Sequence, residues 1–396
     1  MSHQLTALKP DVQKLVDEGY EASIHRQHLL VESVPYVTPA REVALGTLVC
    51  PYQEDGALSH TVHFKGDTPC TSEGHPLNQV INNSTPQVLF DRFNVDHYFS
   101  NKPTNVNGFP ANHYVKMTHY IDILGAQARV IDPDADARTG RVVESRNDDS
   151  VFRYGDTASA RAGIVAIAQK LRLLRIAIVG LGGTGGYILD QVAKTPVKEI
   201  HLFDGDTYKR HNAFRAPGAA SIEQLMLSPK KVEYFYEMYA QMRRGIICHP
   251  SHIDESNIGD LSGFDFVFVS IDDGISRRLI CNFLKDAGIP FIDVGMGLKK
   301  DNGMMNISGQ CRTTLCTPSK HDHIATYVDT HDDREDALYA SNIQVADMNA
   351  LNAILAVIRW KQYFGFYADS EQAHNLSFAI GFQSLVRAEA IAGTYA

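Results

Sequence analysis

From about residue 150 onward, apolar positions fall into short unbroken runs separated by amphipathic stretches. A buried parallel sheet covered by helices requires this alternation. Residues 175–179 read as a buried strand, 185–194 as a helix and 199–203 as the next strand. A long helix comes next around residues 230–242, then a strand at 264–269, a helix at 276–287 and a strand at 290–294. That order predicts an α/β domain with a doubly wound, mostly parallel, Rossmann-like sheet. Residues 1–150 read instead as an N-terminal α+β domain. It shows a short helix at 9–19, strand-like runs at 22–37 and 42–52, an alternating strand at 61–65, and Pro-, Asn- and Gly-rich loops from there to about residue 112. The polar stretch 132–149 carries little apolar content and reads as a linker, so the expected domains are 1–150 and 151–396.

The segment Gly180-Leu181-Gly182-Gly183-Thr184-Gly185 leaves the strand at 175–179 and opens a helix. Glycines there let the backbone turn sharply and approach a phosphate, and the helix start adds free N–H donors and roughly half a positive charge. The next strand ends in Asp204, where a carboxylate can bind ribose hydroxyls. Alone, these features fit nicotinamide and flavin oxidoreductases equally well. A more specific pattern lies downstream: Asp206, Asn212 and Arg215 in the loop after Asp204, Lys231 directly before Val-Glu, and Asp272-Asp273 at the end of the apolar run 264–271.

With these residues the sequence resembles the ThiF/MoeB and ubiquitin-activating family over roughly residues 150–365. The resemblance implies ATP-dependent adenylation of a C-terminal carboxylate, with ATP bound by Gly180, Gly182, Gly183, Gly185, Asp204, Asp206, Asn212, Arg215, Lys231 and Asp272. Arg215 and Lys231 would clamp phosphates, Asp204 would read the ribose, and Asp272 would hold Mg²⁺. Asp273 stands where the family usually has Asn, and reads either as a second metal ligand or as a cap for the following helix. Family members often borrow an arginine from a neighbouring subunit; Arg153 is the first candidate and Arg161 the second. The implied partners are a ubiquitin-like protein ending in glycine and a ubiquitin-conjugating-like protein.

Ubiquitin-activating relatives pass the activated carboxylate to a cysteine, and Leu315-Cys316-Thr317-Pro318, followed by His321 and His323, resembles that segment. Cys316 is therefore a candidate nucleophile, with Cys311 second. The opposing reading makes residues 309–315 a strand with Cys316 as its last, packed residue. The zinc-binding Cys-x-x-Cys pairs of many family members are missing, which turns the resemblance away from the sulfur-carrier branch. Residues 341–364 read as a helix capped by Ser341, apolar on most sides, and the resemblance places such a helix at a homodimer interface.

Composition narrows the classes. Six sparse cysteines in 396 residues argue against a disulfide framework and for a reducing compartment. The net charge of −9, without a basic run, disfavours tracking along nucleic acid, tRNA included. No apolar stretch reaches the ~20 residues of a membrane helix, so a cytoplasmic protein is expected. Two other readings remain beside adenylation. An oxidoreductase leaves Asn212, Arg215, Lys231 and Asp272 without a shared task, and an inactive scaffold for a ubiquitin-like protein has no need of them.

Overall fold

The computed structural model describes residues 10–52, 58–102, 110–141, 150–156, 158–159, 162, 164–301, 303–329 and 343–390. The chain divides into two compact units, Met1–Val165 and Ala166–Ala396. Arg161 and Ser341 lie outside the described residues.

The first unit packs helices α1 (Pro10–Asp17) and α2 (His113–Ile131) against an antiparallel sheet. Strands β1 (Glu21–His25), β2 (His28–Val37), β3 (Val43–Pro51) and β4 (Thr61–Lys65) form a meander. The stretch expected to be loop contains β5 (Ile81–Asn83), β6 (Gln87–Phe90), β7 (Phe93–Val95) and β8 (His97–Ser100); β8 joins β4, β5 joins β8, and β6 pairs with β7. Helix α2 is capped by Asn112, whose side chain accepts from the Val115 N–H, and it buries Met117, Tyr120, Ile121, Leu124 and Ala128 toward the sheet. Those positions recur every three or four residues, the period of one helix face.

The second unit is an eight-stranded sheet of order β11-β10-β9-β12-β13-β14-β15-β16, using β9 (Arg175–Val179), β10 (Glu199–Phe203), β11 (Ile246–His249), β12 (Phe266–Val269), β13 (Phe291–Asp301), β14 (Asn306–Cys316), β15 (Ala373–Ala379) and β16 (Ser384–Ala390). Strands β11 through β13 are parallel and the remaining pairs antiparallel. Buried on both faces, β9 and β12 carry the continuous apolar runs Ile176–Val179 and Phe266–Val269. Helices α3 (Gly183–Ala193), α4 (Lys231–Tyr239) and α6 (Ala346–Tyr363) supply one core with Ile188, Leu189, Phe235, Val357 and Trp360, whereas α5 (Gly274–Asp286) supplies a second with Ile280, Cys281 and Leu284. The strand order reverses between β9 and β12, which opens a crevice at their carboxyl ends.

Further details differ from the sequence reading. The helix expected at 341–364 is Ala346–Tyr363 with Val345 at its cap position, and Ile354 and Ile358, one turn apart, face outward. Strand β13 runs on to Asp301, because β14 pairs with it along its whole length. A terminal pair, β15 and β16, extends the sheet further.

Trp360, the only tryptophan in the chain, is fully buried against Phe268, with ring centroids 5.9 Å apart. Phe268→Ala should cost about 3–5 kcal/mol of the second unit's stability. The check is a lower urea midpoint in the tryptophan fluorescence transition; an unchanged midpoint would contradict this packing.

Candidate functional site

The crevice is built first by glycines. Gly180 has φ +88°, and a Cβ there would lie 2.4 Å from the Ser270 carbonyl oxygen. At Gly185 a Cβ would meet the Gly180 carbonyl oxygen at 1.9 Å, and at Gly183 it would meet Asn349 Nδ2 at 2.0 Å. These three glycines are demanded by the protein's own packing. Gly182 is different: it is the cap residue of α3, makes no side-chain cap bond, and a Cβ on it would have nothing within 4 Å. The start of α3 thus presents its unfilled amide end to open space through Gly182.

A buried charged group holds the turn. Asp204, 6% exposed, accepts from the Leu181 N–H at 2.7 Å and from the Asp206 N–H at 2.8 Å. Lys231 Nζ sits 3.3 Å from Asp204 Oδ2 and 2.7 Å from Asp206 Oδ2. The hydrogen bond from Lys231 holds the Asp206 carboxyl below the usual carboxylate range. Lys231 is placed by the first turn of α4, whose backbone N–H donates to the Asp206 carbonyl at 2.9 Å.

Asn212 and Arg215 occupy the loop after β10. Asn212 is 2% exposed; its Oδ1 accepts from the Lys209 N–H at 2.8 Å, while its Nδ2 is buried without a hydrogen-bond partner. Arg215 Nε is likewise buried and unpartnered. Leaving such donors unpaired costs about 1–3 kcal/mol each, so both atoms fit a site that an acceptor-rich ligand completes. Sequence reasoning missed Asn349 of α6, which ties this loop to the glycine turn. Its Nδ2 donates to the Arg215 carbonyl at 3.1 Å, and its Oδ1 accepts from Thr184 Oγ1 at 3.0 Å. The available signal was an asparagine inside an apolar helix, repeated at Asn352. Asn352 is fully buried, and its Nδ2 donates to the Gly295 carbonyl at 3.0 Å.

Asp272 is exposed in the turn between β12 and α5, a turn fixed to the glycine loop by the Ser270 Oγ donating to the Gly180 carbonyl at 2.8 Å. Asp273 caps α5, accepting from the Ser276 N–H at 2.8 Å. Among the described residues no three His, Cys, Asp or Glu side chains gather as a metal cage. A metal at Asp272 would draw its other ligands from phosphate and water, a habit of Mg²⁺ rather than of metals held wholly by protein.

Cys316 is not brought to this group; of its two sequence readings, the packed end of a strand is the one its place in the fold matches. It is the last residue of β14, opposite Phe291, which lies beside Val267 and so level with Ala177 in the middle of β9. It is 2% exposed within the α5-side core, and burial pushes its thiol up to about 12. Protonated and covered, it is a poor nucleophile at neutral pH. Neither neighbouring histidine compensates: His323 is buried, with Nε2 donating to the Leu315 carbonyl at 2.9 Å, and His321 is exposed. Cys311 is also buried, its thiol raised to about 11. Arg153 lies half-buried in the first unit.

Residues 157–379, more than half of the chain, match the ThiF family model. The chain belongs to the ThiF family. Residues 10–157 match a second model, described as a domain of unknown function, DUF6791. Among curated proteins the chain is similar to the adenylyltransferase and sulfurtransferase UBA4 of Saccharomyces cerevisiae, 25% identical over 165 residues. That alignment takes in 40% of this chain and 37% of UBA4, so the chain spans well under half the length of the curated relative it matches. Among solved structures it is similar to E. coli MccB with ATP, at 17% identity and a TM-score of 0.45, covering 57% of this chain and 66% of MccB. PaaA gives 15% identity and a TM-score of 0.44 over 57% and 75% of the two chains.

The ion pairs and the buried thiol each yield a test. Because the folded Asp206 carboxyl titrates lower than in the unfolded chain, its pairing with Lys231 stabilises the fold above the unfolded value of about 3.9. That contribution is lost as pH falls through the lower folded value. Lys231→Met should move the Asp206 carboxyl resonance titration to higher pH; an unmoved curve would deny the pairing. In the native protein at pH 7.5, Cys316 should resist iodoacetamide until urea unfolds the second unit, and rapid native alkylation mapped to it by mass spectrometry would restore it as a candidate nucleophile.

Proposed function

We propose that this protein is an adenylating enzyme: it joins the α-phosphate of ATP to a C-terminal carboxylate and releases pyrophosphate. The observation that carries this reading is the pair of unpartnered buried donors, Asn212 Nδ2 and Arg215 Nε, beside the open cap at Gly182. Together they offer an acceptor-rich polyphosphate what it needs, and membership of the ThiF family supports the same chemistry over hydride transfer. In this reading the α3 start and Gly182 take the phosphates, Arg215 presents a planar fork of donors to them, and Asp204 faces the ribose while locking the turn. Asp272 holds Mg²⁺, which would offset negative charge as the two anions meet. Lys231, already set against Asp204 and Asp206, orients that wall and contributes its charge from there.

For the acyl substrate we propose the C-terminal glycine of a ubiquitin-like protein, with the first unit recruiting that protein or a conjugating partner. Transfer to Cys316 is not part of the proposal, because the thiol is in the core. The outward Ile354 and Ile358 on α6 support a homodimer.

ATP–pyrophosphate exchange with candidate ubiquitin-like proteins is the test. Wild type should exchange label, Arg215→Ala and Asp272→Ala should lose roughly 100-fold or more, and Cys316→Ala should retain exchange. Wild type that neither exchanges label nor binds ATP would sink the reading, and equal exchange by Asp272→Ala would sink the metal assignment.

A further inference from the structure

A second charged cluster lies at the same carboxyl edge of the sheet, outside the residues assigned so far. Asp293 is fully buried on β13, opposite Val269 at the end of β12. Two arginines converge on it. Arg277 of α5 brings Nε to 3.2 Å of Asp293 Oδ2, an ion pair by distance without hydrogen-bond alignment. Arg312 of β14 donates to Asp293 Oδ1 and to Thr314 Oγ1. Arg312 lies over Gly295, where a Cβ would come within 2.7 Å of its Nη2. Both arginine side chains are nearly covered, 12% and 13% exposed.

Buried ion clusters of this kind are weak evidence for stability, since apolar packing of similar volume often does as well or better. What the cluster holds is therefore the informative point. Arg277 donates through Nη2 to the carbonyl of Ile271, the residue immediately before Asp272, and through Nη1 to the Asp329 carbonyl at 3.0 Å. On the other side of Asp272, Asp273 is fixed as the cap of α5. Two residues back, the Ser270 N–H donates to the Val179 carbonyl at 2.8 Å. Asp272 is thus an exposed carboxylate on a backbone clamped before and behind it.

We propose that Arg277, held in place by Asp293, is a positioning residue that sets Asp272 for its metal. The inference rests on the reading of Asp272 as a Mg²⁺ ligand and deepens it. It assigns the buried triad to the aim of one exposed carboxylate, and Arg312 to holding Asp293 in register. Groups that orient a metal ligand typically change metal affinity when lost, without touching the metal themselves.

The test is calorimetric binding of β,γ-methylene-ATP to the full chain, with and without MgCl₂. It compares wild type, Asp272→Ala, Asp293→Asn and Arg277→Lys. Nucleotide affinity without metal should match wild type in Asp293→Asn and Arg277→Lys. The gain in affinity produced by Mg²⁺ should fall roughly 10- to 100-fold in Asp293→Asn and Arg277→Lys, toward the Asp272→Ala result. Thermal melts by circular dichroism accompany each variant; if Asp293→Asn does not fold, Arg277→Lys, which keeps charge and stem, carries the comparison. A full Mg²⁺ gain in folded Asp293→Asn or Arg277→Lys overturns the inference while leaving the metal reading intact. Wild type that binds nucleotide with no Mg²⁺ gain overturns the metal reading and this inference with it.

Discussion

The whole site depends on one steric constraint, the approach of the first turn of α3 to the end of β9. With the place for a Cβ at Gly185 only 1.9 Å from the Gly180 carbonyl oxygen, no side chain is possible there. That closeness seats α3 directly above the sheet edge and aims its amide end across the crevice. Ser270, directly after β12, then donates to the same Gly180 carbonyl, so the loop beyond β12 is tied to the glycine turn. Asp204 closes the other side by accepting the Leu181 N–H. An alanine at Gly185 would loosen every one of these connections at once, because each refers back to the same half-turn of backbone.

Around that turn the polar groups divide into two kinds. Asp204, Asn349, Asp273 and Ser270 spend their hydrogen bonds on the protein and fix its shape. Asn212 Nδ2 and Arg215 Nε spend none, and both belong to segments the first kind holds still. Preorganisation of this sort matters because donors that need not move on binding lose little entropy when a ligand arrives. The same logic separates Asp272 from Asp273: adjacent carboxylates, one exposed and one tied to a helix start, because the cap geometry can use only one.

The site and fold were legible in the sequence wherever local pattern and tertiary packing agree. Strands β9, β10 and β12 announce themselves because burial on both faces demands unbroken apolar runs, and the glycine turn announces itself because its sterics allow nothing else. Helix α2 carried a readable period at Met117, Tyr120, Ile121, Leu124 and Ala128, but its interior includes Gly125 and several aromatic and β-branched residues, which weaken the local signal. Strand β16 is largely exposed and alternates weakly, so pairing with β15, not sequence, defines it. At Cys316 the Cys-Thr pair and nearby histidines pointed to a reactive thiol, whereas strand pairing with Phe291 decides the burial. The Asp293 cluster was invisible for a related reason: its members come from three separate elements, and only the register of β12, β13 and β14 brings them together.

Under the adenylation reading, the charges at the crevice also constrain what else the reaction would require. Asp204, Asp206 and Asp272 bring three carboxylates, against which stand Lys231 and Arg215. Lys231 is already engaged by two of the carboxylates, so its field is largely answered before any nucleotide arrives. These five side chains alone therefore do not offset a triphosphate, and still less a triphosphate met by a second carboxylate. The remaining compensation has to come from the amide end of α3, which supplies only about half a charge, and from cations brought to the site. A carboxylate left exposed at Asp272 would serve that need, since it could collect a hard divalent ion with phosphate oxygens as its other ligands. The acidic wall thus makes a metal, and any arginine lent by a second copy, part of the site's electrostatic balance under the adenylation reading, and it explains why the aim of Asp272 would be worth a buried triad.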